Sequence, residues 1–132
     1  MQGTRILIVD DEAEAGEILS LRLKRRGAVP AYVPGGEEAL DWLKRHQADI
    51  VLLDIKMPGM DGLEVLSHIR KDYPTLPVLI LSGHADMDSA AKGMELGAFF
   101  YMLKPVNLDD LTNKIEDAGR MSALGAKAAP AG

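Results

Sequence analysis

The sequence has no cysteine, no excess of basic residues and no long apolar run, and each absence removes a class of function. Without cysteine there is no disulfide framework, no thiolate metal site and no cysteine nucleophile, which fits a reducing compartment. Fifteen Lys and Arg stand against 20 Asp and Glu, a net charge of −5. That balance disfavours the basic patch a nucleic acid needs, so no direct nucleic-acid binding is expected. No apolar run approaches the roughly 18 residues of a membrane span. Arg5 and the apolar run 6–9 lead straight into acids, unlike a secretory signal. A cytoplasmic protein without membrane association is expected. His46, His68 and His84 have no metal-ligand spacing.

What is present is an ordinary globular balance, 47% hydrophobic and 27% charged in 132 residues. That length suits one domain and buries a core without staples. Residues 5–9 form a continuous β-branched run that stops at Asp10; residues 49–54, 77–82 and 98–103 repeat the form, and 28–33 is weaker. Runs without polar alternation suit strands buried on both faces of a parallel sheet. Between them the apolar spacing predicts helices over 12–26, 37–46, 62–71, 86–96 and 108–118. The first carries Ala15, Ile18, Leu19 and Leu23 inward and stops at Gly27; Asn107 is the N-cap of the last. The pattern is (βα)5, an α/β, doubly wound three-layer sandwich with strand order 2-1-3-4-5, as in flavodoxin-like folds. The domain is expected over 1–120. Residues 121–132, rich in Ala and Gly without a core pattern, are expected to be a flexible tail or linker stub.

Ligands of open α/β sheets bind beyond the carboxyl ends of the strands, at the switch point. Strand 1 ends in Asp10-Asp11-Glu12, strand 3 in Asp54, strand 4 in Ser82 and strand 5 in Lys104-Pro105. The strand order would crowd Asp10, Asp11 and Asp54 into one crevice. Crowded carboxylates repel, and a hard cation such as magnesium, with oxygen ligands, relieves them. Lys104 would counter a phosphoryl oxygen and Ser82 would donate to another, completing the parts for phosphoryl transfer to a carboxylate. Each residue alone also has an ordinary role: the acids favour the start of helix 1 through its dipole, and Ser82 would cap helix 4.

Val9-Asp10-Asp11-Glu12, Asp54-Ile55-Lys56-Met57-Pro58-Gly59-Met60-Asp61-Gly62, Leu81-Ser82-Gly83 and Lys104-Pro105 each fall at a strand end in this order. Together they resemble the receiver domain of two-component response regulators, the chemotaxis regulator among them, over residues 4–118. The resemblance implies that Asp54 is the phosphoacceptor. It would be charged from a sensor histidine kinase, a phosphotransfer protein or a small phosphodonor. Mg2+ would be held by Asp11, by Asp10 in part through water, by Asp54 and by the backbone carbonyl of Lys56. Lys104 would hold the phosphoryl group, Ser82 would move toward it and Tyr101 would turn inward. The signal would reach the face of helix 4, strand 5 and helix 5, where an output partner or a second copy would dock. Pro105 stands where the family has a cis peptide bond, and Pro58 and Gly62 shape the loop after Asp54.

Some positions depart from the family. Ser82 stands where many members have Thr. Lys56 and His84 occupy the two variable rim positions and are expected to set the lifetime of phospho-Asp54. Phe100 replaces a common polar residue and is expected as an exposed aromatic for partner binding. Gly83-His84-Ala85-Asp86 is similar to receivers attached to enhancer-binding transcription regulators. No output domain follows residue 120, so the chain is expected either to dock alone or to be part of a longer regulator.

Three other functions compete. An aspartyl-phosphate phosphatase needs a second acid two residues after its nucleophile, where Lys56 stands. A nucleotide-binding domain needs a Gly-rich loop after strand 1, where acids stand. An interaction module without phosphorylation would not need the complete acceptor set. The expectation is a switch that catalyses only its own phosphoryl transfer and autodephosphorylation.

Overall fold

A computed structural model describes residues 1–55, 61–83 and 87–128, with side chains through Met121. Lys56, Pro58 and His84 therefore lie outside the described residues. Five strands, β1 (Arg5–Val9), β2 (Val29–Val33), β3 (Ile50–Asp54), β4 (Val78–Ser82) and β5 (Phe100–Leu103), alternate with five helices. The helices are α1 (Ala13–Arg25), α2 (Gly36–Arg45), α3 (Gly62–Asp72), α4 (Met87–Glu95) and α5 (Leu108–Ala128). The strands form one parallel sheet in the order β2-β1-β3-β4-β5, as the sequence predicts.

The unbroken apolar runs are explained by two cores, one on each face. Leu7, Val9, Val51, Leu53, Val78 and Ile80 face α2, α3 and α4, which contribute Ala39, Leu43, Leu66, Ile69 and Ala90. Their neighbours Ile6, Ile8, Ile50, Leu52, Leu79 and Leu81 face α1 and α5, which contribute Leu23, Leu111, Ile115 and Ala118. Burying each such side chain contributes about 1.5–3 kcal/mol, and the alternation fixes the register, because a one-residue slip would exchange the two faces.

The helix ends carry the devices read from the sequence. Gly27 adopts φ +98°, a left-handed conformation that closes α1 without the penalty a Cβ would bring. Asn107 Oδ1 accepts from Asp110 N at 3.0 Å, capping α5. Asp61 caps α3 in the same way, accepting from Glu64 N at 3.0 Å.

Two expectations are corrected. Helix α1 buries Gly16 and Leu23 with Leu19 partly covered, while Ala15 is exposed and Ile18 is 46% exposed. The helix is turned toward Gly16 because the Tyr32 ring of β2 fills the space beside that glycine. Helix α5 runs through Ala128, past the end at Ala118 that the apolar spacing predicts. Met121, Leu124, Lys127 and the alanines there are good helix formers.

Candidate functional site

The pairing of Val9 with Leu53 and of Asp54 with Leu81 brings the ends of β1, β3 and β4 to one level. Ser82 pairs with Leu103, so Lys104 emerges at the same level from β5. Lys104 N donates to the Ser82 carbonyl at 2.7 Å, which holds the end of β5 against β4. The Lys104–Pro105 peptide bond is cis.

Asp10, Asp11 and Asp54 each present a carboxylate oxygen within 4.8 Å of the others. Asp10 and Asp54 are buried, 6% and 7% exposed, while Asp11 faces solvent. Lys104 Nζ donates to Asp54 Oδ2 at 3.1 Å and to Asp10 Oδ2 at 3.3 Å. Burial pulls the Lys104 ammonium's pKa down. The hydrogen bond and charge of Asp54, followed by the charge and hydrogen bond of Asp10, outweigh this and leave it above its ordinary 10.5. The lysine is therefore a fixed cation at neutral pH. Among the described residues one ammonium stands against three acids, a net negative cluster that a divalent cation with oxygen ligands suits.

Asp10 is fixed on several sides. Its Oδ1 accepts from Glu12 N at 2.9 Å, closing an Asx-type turn into α1. Its carbonyl accepts from the Tyr32 hydroxyl at 2.6 Å. Burial, with the charges of Asp10, Glu17 and Asp11, pushes the Tyr32 phenol above its usual 10, so the hydroxyl remains a donor. Tyr32 and Gly16 escaped the sequence reading. The only available signal was a glycine inside an otherwise good helical pattern, a sign of close packing.

Ser82 is fully buried, and its Oγ has no hydrogen-bond partner among the described residues. A buried hydroxyl left unpaired is costly, and this one ends β4, the strand beside the one that ends in Asp54. Tyr101, opposite Ile80, is half-buried and packs on the α2–α4 side of the sheet. Phe100, expected to be exposed, is half-buried instead: it packs toward the α1 and α5 side, with Lys114 Nζ 4.3 Å from its ring centre. Gly62 opens α3 directly beneath the site; its N–H donates to the Ile55 carbonyl at 2.9 Å.

A second depression, among the described residues, lies at the opposite end of the sheet around Arg5, Asp49, Glu116 and Arg120. Charges there pair locally, Arg5 with Asp49, Glu116 with the N-terminal amine and Arg120 with Asp117. Among the described residues no helix is long and apolar enough to cross a membrane.

Known proteins share this fold. The profile of the response regulator receiver domain matches residues 6–116. The DNA-binding transcriptional regulator NtrC of Proteus hauseri is 37% identical over 118 residues, which are 89% of this chain and 25% of that protein. The chain thus spans about a quarter of that relative's length. A response regulator receiver domain protein from Clostridium thermocellum superposes with a TM-score of 0.88 at 33% identity, covering 92% of this chain and 98% of the other. The receiver domain of NtrX from Brucella abortus does so with a TM-score of 0.83 at 32% identity, covering 87% and 98%. A profile spanning most of the chain, joined to superpositions over nearly the whole domain, leaves one assignment: the chain belongs to the family of response regulator receiver domains.

Proposed function

We propose that the chain is a phosphorylation switch in which Asp54 accepts a phosphoryl group from a phosphohistidine of a sensor kinase or phosphotransfer protein. The observation that carries this reading is the meeting of Asp10, Asp11, Asp54 and Lys104 at one point, with the buried hydroxyl of Ser82, unpaired among the described residues, at the end of the neighbouring strand. Crowded acids suit a metal ion, and a buried donor without a partner among the described residues suits an anion. The residues fit Mg2+, which Asp11, Asp10 and Asp54 would hold and which would neutralise charge on the transferring phosphoryl oxygens.

An Asp54 carboxylate oxygen attacks phosphorus, the P–N bond of the donor breaks, and the imidazole leaves with a proton from solvent. The product is an acyl phosphate on Asp54. Lys104, already on Asp54, follows the new negative charge from the carboxylate to a phosphoryl oxygen. Ser82 Oγ donates to another phosphoryl oxygen, gaining a partner that it lacks among the described residues. The half-buried Tyr101 ring, on the strand beside Ser82, turns into the space that Ser82 leaves. Helix α4, β5 and α5 then present a changed face to an output partner or a second copy. Transfer and hydrolysis both take place at Asp54, without turnover of other substrates. If the chain sits in a longer regulator, as NtrC does, this face would govern the attached domains.

The test is incubation with acetyl phosphate and Mg2+, followed by intact-mass measurement and hydroxylamine treatment. One hydroxylamine-labile phosphoryl group is expected, absent in Asp54→Asn and without Mg2+. No labelling of the wild-type chain, under conditions where the fold is intact, overturns the reading in favour of a phosphate-independent interaction module.

A further inference from the structure

We infer that Tyr32 is a positioning residue for Asp11, and that Gly16 is the gap in α1 that admits its ring. The inference rests on the reading of Asp11 as a magnesium ligand. Asp11 is the exposed member of the acid cluster, with no side-chain hydrogen bond among the described residues. What directs it is the backbone that carries it. The Asp10 N–H continues the β1–β2 ladder to the Val33 carbonyl at 3.3 Å. Strand β2 ends at Val33, so the Asp10 carbonyl lies past the last rung, and the Tyr32 hydroxyl supplies its donor at 2.6 Å. The peptide from Asp10 to Asp11 is planar. Pinning its oxygen sets the plane, and with it the direction in which Asp11 leaves the strand. The Asp10 side chain has separate anchors, Glu12 N and Lys104, so Asp11 is the ligand that depends on Tyr32.

The ring reaches this position only because residue 16 has no Cβ. A Cβ there would overlap Tyr32 Cε1 and lie 3.0 Å from Cζ. Glycine inside a helix is less stable than alanine, so its presence in the first turns of α1 is explained by the ring it accommodates. Magnesium demands near-ideal octahedral geometry, whereas calcium accepts irregular ligand sets. A misdirected Asp11 would therefore harm Mg2+ binding far more than Ca2+ binding.

The experiment titrates the wild-type chain, Tyr32→Phe and Gly16→Ala with MgCl2 and separately with CaCl2, following backbone amide shifts. Metal-free melting temperatures are recorded alongside. Tyr32→Phe keeps the ring and is expected to weaken Mg2+ binding about tenfold, as loss of a ligand-orienting hydrogen bond does. Its Ca2+ affinity should change less than about twofold. Gly16→Ala keeps the hydroxyl, displaces the ring and should show the same change in selectivity. Unchanged Mg2+ affinity in Tyr32→Phe overturns the inference. Equal losses for both ions with a lowered melting temperature also overturn it, since that marks a merely structural role. A wild-type chain that binds no Mg2+ is a separate outcome and removes the metal reading itself.

Discussion

Lys104 Nζ lies 3.1 Å from Asp54 Oδ2, although Asp54 ends β3 and Lys104 follows β5, strands that β4 keeps apart. The contact leaves Asp54 paired before any phosphoryl group arrives. Removing the ammonium, as in Lys104→Met, leaves Asp10 and Asp54 buried without their shared counter-charge. With the lysine side chain about a third exposed (32%), a loss of about 1–2 kcal/mol is expected in metal-free buffer. Mg2+ should then stabilise the variant more than the wild-type chain, because it relieves a repulsion that Lys104 otherwise relieves. Thermal melts with and without MgCl2 check this; equal rises in the two proteins would refute it. The pH dependence has a definite sign. The ammonium's folded pKa is raised above 10.5, so its contribution is complete below the unfolded value and is lost as pH rises through the folded one.

Ser82 gives the opposite expectation. Its Oγ is buried without a partner among the described residues, so deleting it removes an unsatisfied group rather than a bond. Ser82→Ala is expected to change resting stability by less than about 1 kcal/mol, with stabilisation the favoured direction. Affinity for beryllofluoride, which mimics the phosphoryl group, should fall about tenfold, the worth of one hydrogen bond to a charged acceptor. A variant that melts several kcal/mol lower, or that binds the mimic as tightly as wild type, would contradict the role given to this hydroxyl.

The fold and the core of the site were legible because both depend on local signals. Apolar runs such as 50–53 name buried strands, and the polar residue after each run, Asp10, Asp54, Ser82 or Lys104, is carried to one edge by the strand order alone. What escaped depends on shape across the sequence. Ala15 and Ile18 fit the helical period as well as Gly16 and Leu19 do; only the Tyr32 ring decides which face turns inward. Phe100 looked exposed by comparison with polar relatives, yet a strand with one half-covered face allows it to lie under Lys114. The end of α5 was misplaced because helix propensity without an apolar period in the sequence leaves little to read, and the helix continues to Ala128.

Arg5 and Asp49 lock the opposite end of the sheet. The Arg5 guanidinium holds Asp49 through Nε–Oδ2 at 3.2 Å and Nη2–Oδ1 at 3.0 Å, and Arg5 N adds a third bond to Oδ2 at 2.8 Å. The side-chain hydrogen bonds from Arg5 outweigh burial and lower the Asp49 carboxyl below 3.8. Both side chains are more than a third exposed, so Asp49→Ala should cost only about 1 kcal/mol at pH 7. Because the folded value is lowered, that contribution is present above the unfolded value and disappears as pH falls through the folded one. Urea unfolding of both proteins from pH 7 to pH 2.5 (about the lower limit of carboxylate titration) should show the difference close below about pH 3.8. A constant difference across the range would mean that Asp49 acts through packing.

Gly62 and Gly119 both lie in helices, and their surroundings predict opposite outcomes for the same substitution. A Cβ on Gly62 would lie 2.5 Å from Ile55 Cα, 2.7 Å from its carbonyl oxygen and 2.9 Å from the Asp54 carbonyl oxygen. These atoms belong to the backbone at the end of β3, so relief requires moving the strand end that carries Asp54. Gly62→Ala is therefore expected to cost about 3 kcal/mol or more and to abolish beryllofluoride binding at concentrations that saturate wild type. At Gly119 a Cβ would meet nothing within 4 Å, and α5 runs on past it. There Gly→Ala should stabilise the chain by about 0.5–1 kcal/mol through helix propensity and a less free unfolded chain, with mimic binding unaltered. Melting curves and mimic titrations of the two variants, measured side by side, check both signs. Two variants that respond alike would mean that helix propensity alone governs these positions and that α3 does not abut the strand carrying Asp54.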